Sequence, residues 1–348
     1  MSQPFKLCIL RLSAIGDVCH AAAMVNAILQ HQANTEITWV IGKIEYALLK
    51  GMQNVNFVVY DKKGGKQAKQ AVVDALGEVT FDALFVMQVA LRANLLSRII
   101  KAKRRIGFDW ARSKEGHYLF TNERIKPQEH AHVLEGFMGF AHAIGVPESQ
   151  SALPCWNIPI DETDSAWAEH TLAEYGRFAV ISPAASKAER NWLPQRYAKV
   201  AEYLHSKGMN VVLCGGPGPL DVALRDEITR STDAIALDLV GKTTLKQMLA
   251  VLDKAALVIA PDTGPAHMAT TQGTPVVGLY AHSNPRRTGP YLSQDFTASV
   301  YDECILQQTG KQWEQLPWGR RAKGDSLMAN ISLEQVIARI DAALGAST

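Results

Sequence analysis

Hydrophobic positions in the first half of the chain come in short runs, separated by longer stretches where apolar residues recur at helical spacing. The runs predict strands over Lys6–Leu12, Ile37–Ile41, Val55–Tyr60 and Phe81–Val86, with a helical pattern over Val18–Leu29. Such alternation implies parallel strands joined by helical crossovers. The rhythm breaks near Leu153–Pro159, where Pro147, Pro154 and Pro159 deny the backbone both a helix and an interior strand. It restarts with predicted strands over Phe178–Ile181, Asn210–Leu213, Ala256–Ala260 and Pro275–Leu279, and a helix over Gln195–His205. The pattern therefore predicts an α/β fold of two doubly wound sheets.

At 348 residues the chain exceeds the usual span of one core, which supports two domains. With 47% hydrophobic and 20% charged residues it has the composition of a globular protein. A formal charge of +2 gives no global field for nucleic acid, so none is expected as a partner. Cys8, Cys19, Cys155, Cys214 and Cys304 show no C-x-x-C pairing and read as thiols in a reducing compartment. Met1–Leu12 lacks a signal-peptide core and no apolar run approaches the ~20 residues of a membrane span, so a cytoplasmic protein is expected.

In open parallel sheets ligands bind beyond the carboxyl ends of the strands, so the loops that follow strands are where chemistry is expected. The first strand leads into Arg11-Leu12-Ser13-Ala14-Ile15-Gly16-Asp17 at the mouth of a helix. Asp17 reads either as a helix cap or as a carboxylate base. After Phe178–Ile181, a loop running to Pro194 offers Ser186, Lys187 and Arg190 as phosphate-compatible donors; the alternative is an ordinary polar loop with Trp192 as a core anchor and Pro194 starting the next helix. Cys214-Gly215-Gly216-Pro217-Gly218-Pro219-Leu220-Asp221 is not G-x-G-x-x-G. Gly216 there serves a sharp turn or a close nucleotide contact, and Asp221 reaches a ribose hydroxyl or caps the next helix.

The fourth loop, Ala260-Pro261-Asp262-Thr263-Gly264-Pro265-Ala266-His267, is the most informative. Thr263 and Gly264 fall at a helix N-terminus with Pro265 in the first turn, where N–H groups and the helix dipole could hold a diphosphate without metal. Asp262 as a mere cap and His267 as a packing residue are the alternative.

Together, Arg11 to Asp17, Arg190-Asn191-Trp192-Leu193-Pro194 and Pro261 to His267 resemble in order and spacing the heptosyltransferase family of bacterial lipopolysaccharide-core enzymes. The resemblance implies the GT-B architecture: two Rossmann-like domains facing across a cleft that holds the active site. Residues 1–158 would bind the acceptor and residues 159–348 the nucleotide sugar, with the C-terminal helix able to pack back on the first domain. It further implies Asp17 as catalytic base, Arg190 beside the diphosphate, and Asp262, Thr263, Gly264 and His267 in the donor-phosphate loop. Ser186 matches a position that often carries a small hydroxyl residue, whereas Arg190 replaces a frequent Lys. The donor set is then Ser186, Lys187, Arg190, Gly216, Asp221, Asp262, Thr263, Gly264 and His267.

The implied reaction is an inverting, metal-independent transfer of heptose from ADP-L-glycero-β-D-manno-heptose to Kdo-bearing lipid A or another inner-core lipopolysaccharide acceptor. ADP-heptose would be a co-substrate, with no cofactor. Arg104-Arg105-Ile106-Gly107-Phe108-Asp109-Trp110 resembles the corresponding region of family members that add the first heptose. Lys101, Lys103, Arg104, Arg105, Arg112 and Lys114 form a basic concentration, read either as solvated surface or as the face that meets an anionic, lipid-linked acceptor at the inner-membrane surface. Two other classes stay open. A nucleotide-dependent oxidoreductase is disfavoured by the missing G-x-G-x-x-G after the first strand. A non-catalytic sugar-nucleotide-binding protein would keep the Thr263 loop and have no need of Asp17.

Overall fold

A computed structural model describes residues 3–148 and 153–346, and the chain divides into two compact units, Met1–Pro159 and Ile160–Thr348. The first unit runs β1 (Phe5–Leu10), α1 (Ile15–His31), β2 (Thr35–Gly42), α2 (Lys43–Leu49), β3 (Val55–Tyr60), α3 (Gly65–Leu76), β4 (Phe81–Val86), α4 (Leu91–Ser97), β5 (Ala102–Gly107), a 3₁₀ turn at His117–Phe120, β6 (Glu123–Arg124) and α5 (Val133–Ala143). Its strands are parallel in the order β3-β2-β1-β4-β5-β6. Leu7 to Leu10 of β1 pair with Ile37 to Val40 on one side and Ala83 to Val86 on the other, and all four are fully buried. A strand covered on both faces needs apolar residues at successive positions, which is why these strands read as unbroken runs.

β5 escapes that pattern. Its sequence, Ala-Lys-Arg-Arg-Ile-Gly, reads as a basic cluster, yet it pairs with β4 on one side and with the two-residue β6 on the other. A strand near the sheet edge can carry long charged side chains whose stems pack while their heads find partners elsewhere.

The second unit runs α6 (Glu162–Leu172), β7 (Phe178–Ile181), α7 (Pro194–Ser206), β8 (Asn210–Leu213), α8 (Pro219–Ser231), β9 (Leu237–Asp238), α9 (Leu245–Lys254), β10 (Leu257–Pro261), α10 (Gly264–Thr271), β11 (Val276–Tyr280), α11 (Pro285–Thr288), β12 (Ala298–Ser299), α12 (Tyr301–Thr309) and α13 (Leu333–Gly345). The parallel order β12-β11-β10-β7-β8-β9 repeats the topology of the first sheet. Trp192, 1% exposed, anchors the core and donates its indole N–H to Ile331 O at 3.0 Å. The C-terminal helix α13 buries Val336, Ile340 and Ala343 in this unit's own core, against α7, β10 and β11. An amphipathic helix settles where its apolar stripe is covered, and this sheet face supplies that cover.

Candidate active site

The order of the first sheet reverses between β1 and β4, so the crevice of this unit opens at the carboxyl ends of those two strands. Arg11 follows β1 and Met87 and Gln88 follow β4. The Leu12 N–H donates to Gln88 Oε1 at 2.9 Å, and Gln88 Nε2 donates to Ser13 Oγ at 3.4 Å, joining the two loops. The Arg11 guanidinium is ion-paired to Asp17, donates to Met87 O and lies 5.3 Å from the Phe137 ring centroid. Asp17 also accepts the Ala14 N–H at 3.1 Å, the reciprocal half of a capping box. Capping and exposure are thus compatible: Arg11 and Ala14 both bind Oδ2, and the side chain remains 32% exposed, which leaves Oδ1 for an incoming group.

The second sheet reverses between β7 and β10. The Ser186–Arg190 loop follows β7, and Asp262-Thr263 follows β10, so the equivalent crevice is flanked by two of the loops singled out in the sequence. Arg190 Nη2 donates to Ser186 Oγ at 2.7 Å, while Nη1 reaches Asp262 O at 3.3 Å and Oδ2 at 3.5 Å. Asp262 Oδ2 also accepts the Ser283 hydroxyl at 2.7 Å, and His267 Nε2 lies 3.8 Å from Oδ1. Burial pushes the Asp262 carboxyl up, but His267, Ser283 and Arg190 together outweigh it and hold the group below its ordinary value. Thr263 is the N-cap residue of α10, yet its side chain makes no cap bond and its buried Oγ1 has no hydrogen-bond partner among the described residues. An orphaned hydroxyl, a guanidinium whose Nη1 is held only by long bonds and the positive end of a helix are a donor set suited to an anion.

Other proposed donor residues are engaged differently. The Gly216 N–H, offered as a nucleotide contact, donates to Asp221 Oδ1 at 2.8 Å. The glycines of this loop make room for that carboxylate: a Cβ on Gly215 would lie 3.0 Å from Oδ1, and one on Gly218 2.9 Å from Oδ2. Burial raises the Asp221 carboxyl, and the bond from Gly216 offsets part of that shift. Lys187 is largely exposed and lies 3.7 Å from Glu189, outside the Arg190–Asp262 group.

The basic concentration at residues 101–114 is largely neutralised within the fold. Lys101 pairs with Glu78 and Lys103 with Asp82. Arg104 binds both oxygens of Glu123, at 2.9 and 2.8 Å, and Ala143 O. Arg105 spends its guanidinium on Phe120 O, Ile100 O, Ser97 O and Ser97 Oγ, tying β5 to the end of α4. Arg112 grips Asp109 and reaches Gln128. Of this group only Lys114 has neither an ion pair nor a side-chain hydrogen bond among the described residues. Compact folding recruits carboxylates from other segments, so a cluster in sequence is not a free cluster in space.

Sequence reasoning missed Ser283 and His282. Ser283 holds Asp262, and His282 is buried with Nδ1 3.1 Å from Ala322 O. Their signal was positional, since both follow the carboxyl end of β11, next to β10.

Two units with parallel sheets of Rossmann order, one with a partly exposed carboxylate at its switch point and the other with an anion-suited donor set, have the two-domain fold of GT-B type. The profile of glycosyltransferase family 9 (heptosyltransferase) matches residues 70–318. The lipopolysaccharide core heptosyltransferase OpsX of Haemophilus influenzae is 44% identical over 337 residues, which cover 97% of this chain and 96% of that one. A glycosyl transferase family 9 structure from Veillonella parvula has a TM-score of 0.81 at 22% identity, covering 99% of both chains. The E. coli heptosyltransferase WaaC with ADP has a TM-score of 0.74 at 19% identity, covering 97% of this chain and 100% of that one. The chain belongs to glycosyltransferase family 9, the heptosyltransferases.

Proposed function

We propose that this enzyme transfers heptose from ADP-heptose to a hydroxyl of the lipopolysaccharide inner core, with Kdo-bearing lipid A as acceptor. The observation that carries the reading is the half-buried Arg190–Asp262–Ser283 group beside the α10 N-terminus, in a chain 44% identical to a lipopolysaccharide core heptosyltransferase. In this mechanism the acceptor hydroxyl gives its proton to Asp17 Oδ1 as its oxygen attacks the anomeric carbon. The bond from that carbon to the β-phosphate oxygen breaks, its electron pair leaves with ADP, and a single displacement inverts the centre. Arg190, the Thr263 hydroxyl and the N–H groups at the start of α10 take up the charge developing on the diphosphate. Asp262 and Ser186 orient Arg190, and Ser283 orients Asp262.

The test is mass spectrometry of the full chain with ADP-heptose and lipopolysaccharide truncated after Kdo or after the first heptose. A gain of one heptose on the Kdo-terminated acceptor, unchanged by chelator, is expected. A gain only on the heptose-bearing acceptor would move the site of addition outward along the core. Absence of acceptor-dependent ADP release with either acceptor would overturn the reading.

A further inference from the structure

The rim of the first unit that carries Asp17 continues, along the loops after β4 and β5, into a surface of unusual composition. Helix α4 buries Ala93, Asn94, Leu96 and Ser97 and turns Leu91 and Leu95 outward, 51% and 48% exposed. Arg98 follows at the next position of the same helical face, since residues four and seven places on from Leu91 lie above it. Beside α4 stands the 3₁₀ turn His117–Phe120, fixed to it by His117 Nδ1 to Asn94 Oδ1 at 2.8 Å and by Asn94 Nδ2 to Glu115 O at 3.3 Å. This turn presents Leu119, 64% exposed, and Tyr118, whose ring lies 5.5 Å from that of Trp110, itself 65% exposed.

Scattered exposed apolar residues need no explanation, but a Trp, a Tyr and Leu side chains on adjoining elements do. The charges around them are mainly cationic. Arg92, Arg98, Lys114 and Arg124 form no ion pair among the described residues; Arg98 lies 4.8 Å from the Phe120 ring centroid and Arg124 4.0 Å from that of Trp110. One carboxylate stands among them: Glu115 is exposed, accepts the Leu91 N–H at 2.6 Å and forms no ion pair among the described residues. Amphipathic aromatic rings among leucines, fringed by unneutralised guanidinium and ammonium groups, match the boundary between acyl chains and anionic headgroups.

We infer that this surface of α4, Trp110 and the 117–120 turn docks the enzyme on an anionic phospholipid membrane. The partner is a lipid surface rather than a protein because four free cations outnumber the free carboxylate of Glu115 and the apolar residues are those that settle at a bilayer interface. Peripheral attachment fits the chain, since no helix among the described residues is long and apolar enough to cross a membrane. The link to catalysis rests on the reading above: a lipid-anchored acceptor would lie beside the rim that bears Asp17.

Flotation of the full chain with vesicles tests this without any sugar donor, so its failure and that of the transferase reading are separately visible. Vesicles of phosphatidylethanolamine with phosphatidylglycerol should carry the protein up, and phosphatidylcholine vesicles should carry much less. Trp110→Ser with Leu119→Ser should lower partitioning by at least ~10-fold. Arg92→Ser with Arg124→Ser should lower it by ~5-fold per cation at low salt. Because these side chains are exposed, the variants should keep wild-type circular dichroism and transfer to a delipidated acceptor; should the apolar pair fail to fold, the cation pair carries the test alone. Equal vesicle binding by wild type and variants overturns the inference. So does a wild-type dimer that ignores vesicles and that Trp110→Ser with Leu119→Ser turns into a monomer, since a second copy would then be what covers the patch.

Discussion

Replacing Asp17 by Asn separates basicity from architecture. Asn can still accept the Ala14 N–H, so the start of α1 is retained, but it loses the charge that faces Arg11. The Arg11 side chain is 12% exposed and Asp17 32%, which places the pair between a surface ion pair and a buried one. Its loss should cost about 1–2 kcal/mol, since Arg11 keeps Met87 O and the Phe137 ring. For a unit of this size that lowers the melting temperature by roughly 2–8 °C. If Oδ1 is the base, acceptor-dependent single-turnover transfer should fall by about 100-fold or more, or ~2.7 kcal/mol in barrier, with ADP affinity unchanged. Arg11→Met is the control: it breaks the same pair while leaving the carboxylate in place, so it should lose comparable stability and far less transfer. Near-normal transfer by Asp17→Asn would refute the base assignment, and equal loss in both variants would assign the effect to the ion pair.

Arg190→Ala should weaken ADP binding in calorimetry by about 1.5–3 kcal/mol, the worth of a charge-assisted hydrogen bond, and unchanged affinity in a folded protein would remove Arg190 from the donor set. Asp221→Asn keeps an acceptor for the Gly216 N–H. Because burial raises the Asp221 carboxyl, its contribution to stability falls as pH rises from the unfolded value through the raised folded one, so the variant should melt no lower than wild type at pH 7 and show a weaker acid dependence. A clear drop at pH 7 would contradict this. His117 is buried and is held down to about 4 by burial and by Arg124, so between that value and 6.5 the unfolded chain binds more protons than the folded one. Stability of the first unit is therefore full above pH 6.5 and declines as pH falls toward 4; His117→Gln should flatten that decline in thermal melts, and an unchanged slope would point to another group.

The sequence alone determined the parts of this protein whose cause is local. Leu7 to Leu10, Ala83 to Val86 and Phe178 to Ile181 had to be strands because burial on both faces demands unbroken apolar runs, and parallel strands in turn require the helices between them. Loops after such strands were legible for the same reason, which is how Asp17, Arg190, Asp262 and Thr263 stood out by type and place. Tertiary structure alone decided who meets whom. Ser283 reaches Asp262 from the loop after a neighbouring strand, Arg190 reaches it across 72 positions, and Gly216 turns its N–H to Asp221 and not outward. It also decided which charges are free: Arg104 and Arg105, conspicuous in the sequence, are consumed by Glu123 and by carbonyls, whereas Arg92 and Arg124, which attracted no notice there, are left at the surface. A residue's type is fixed by the chain, but an ion pair or hydrogen bond between distant segments exists only once packing has brought both partners within about 3 Å, and no local pattern encodes that meeting.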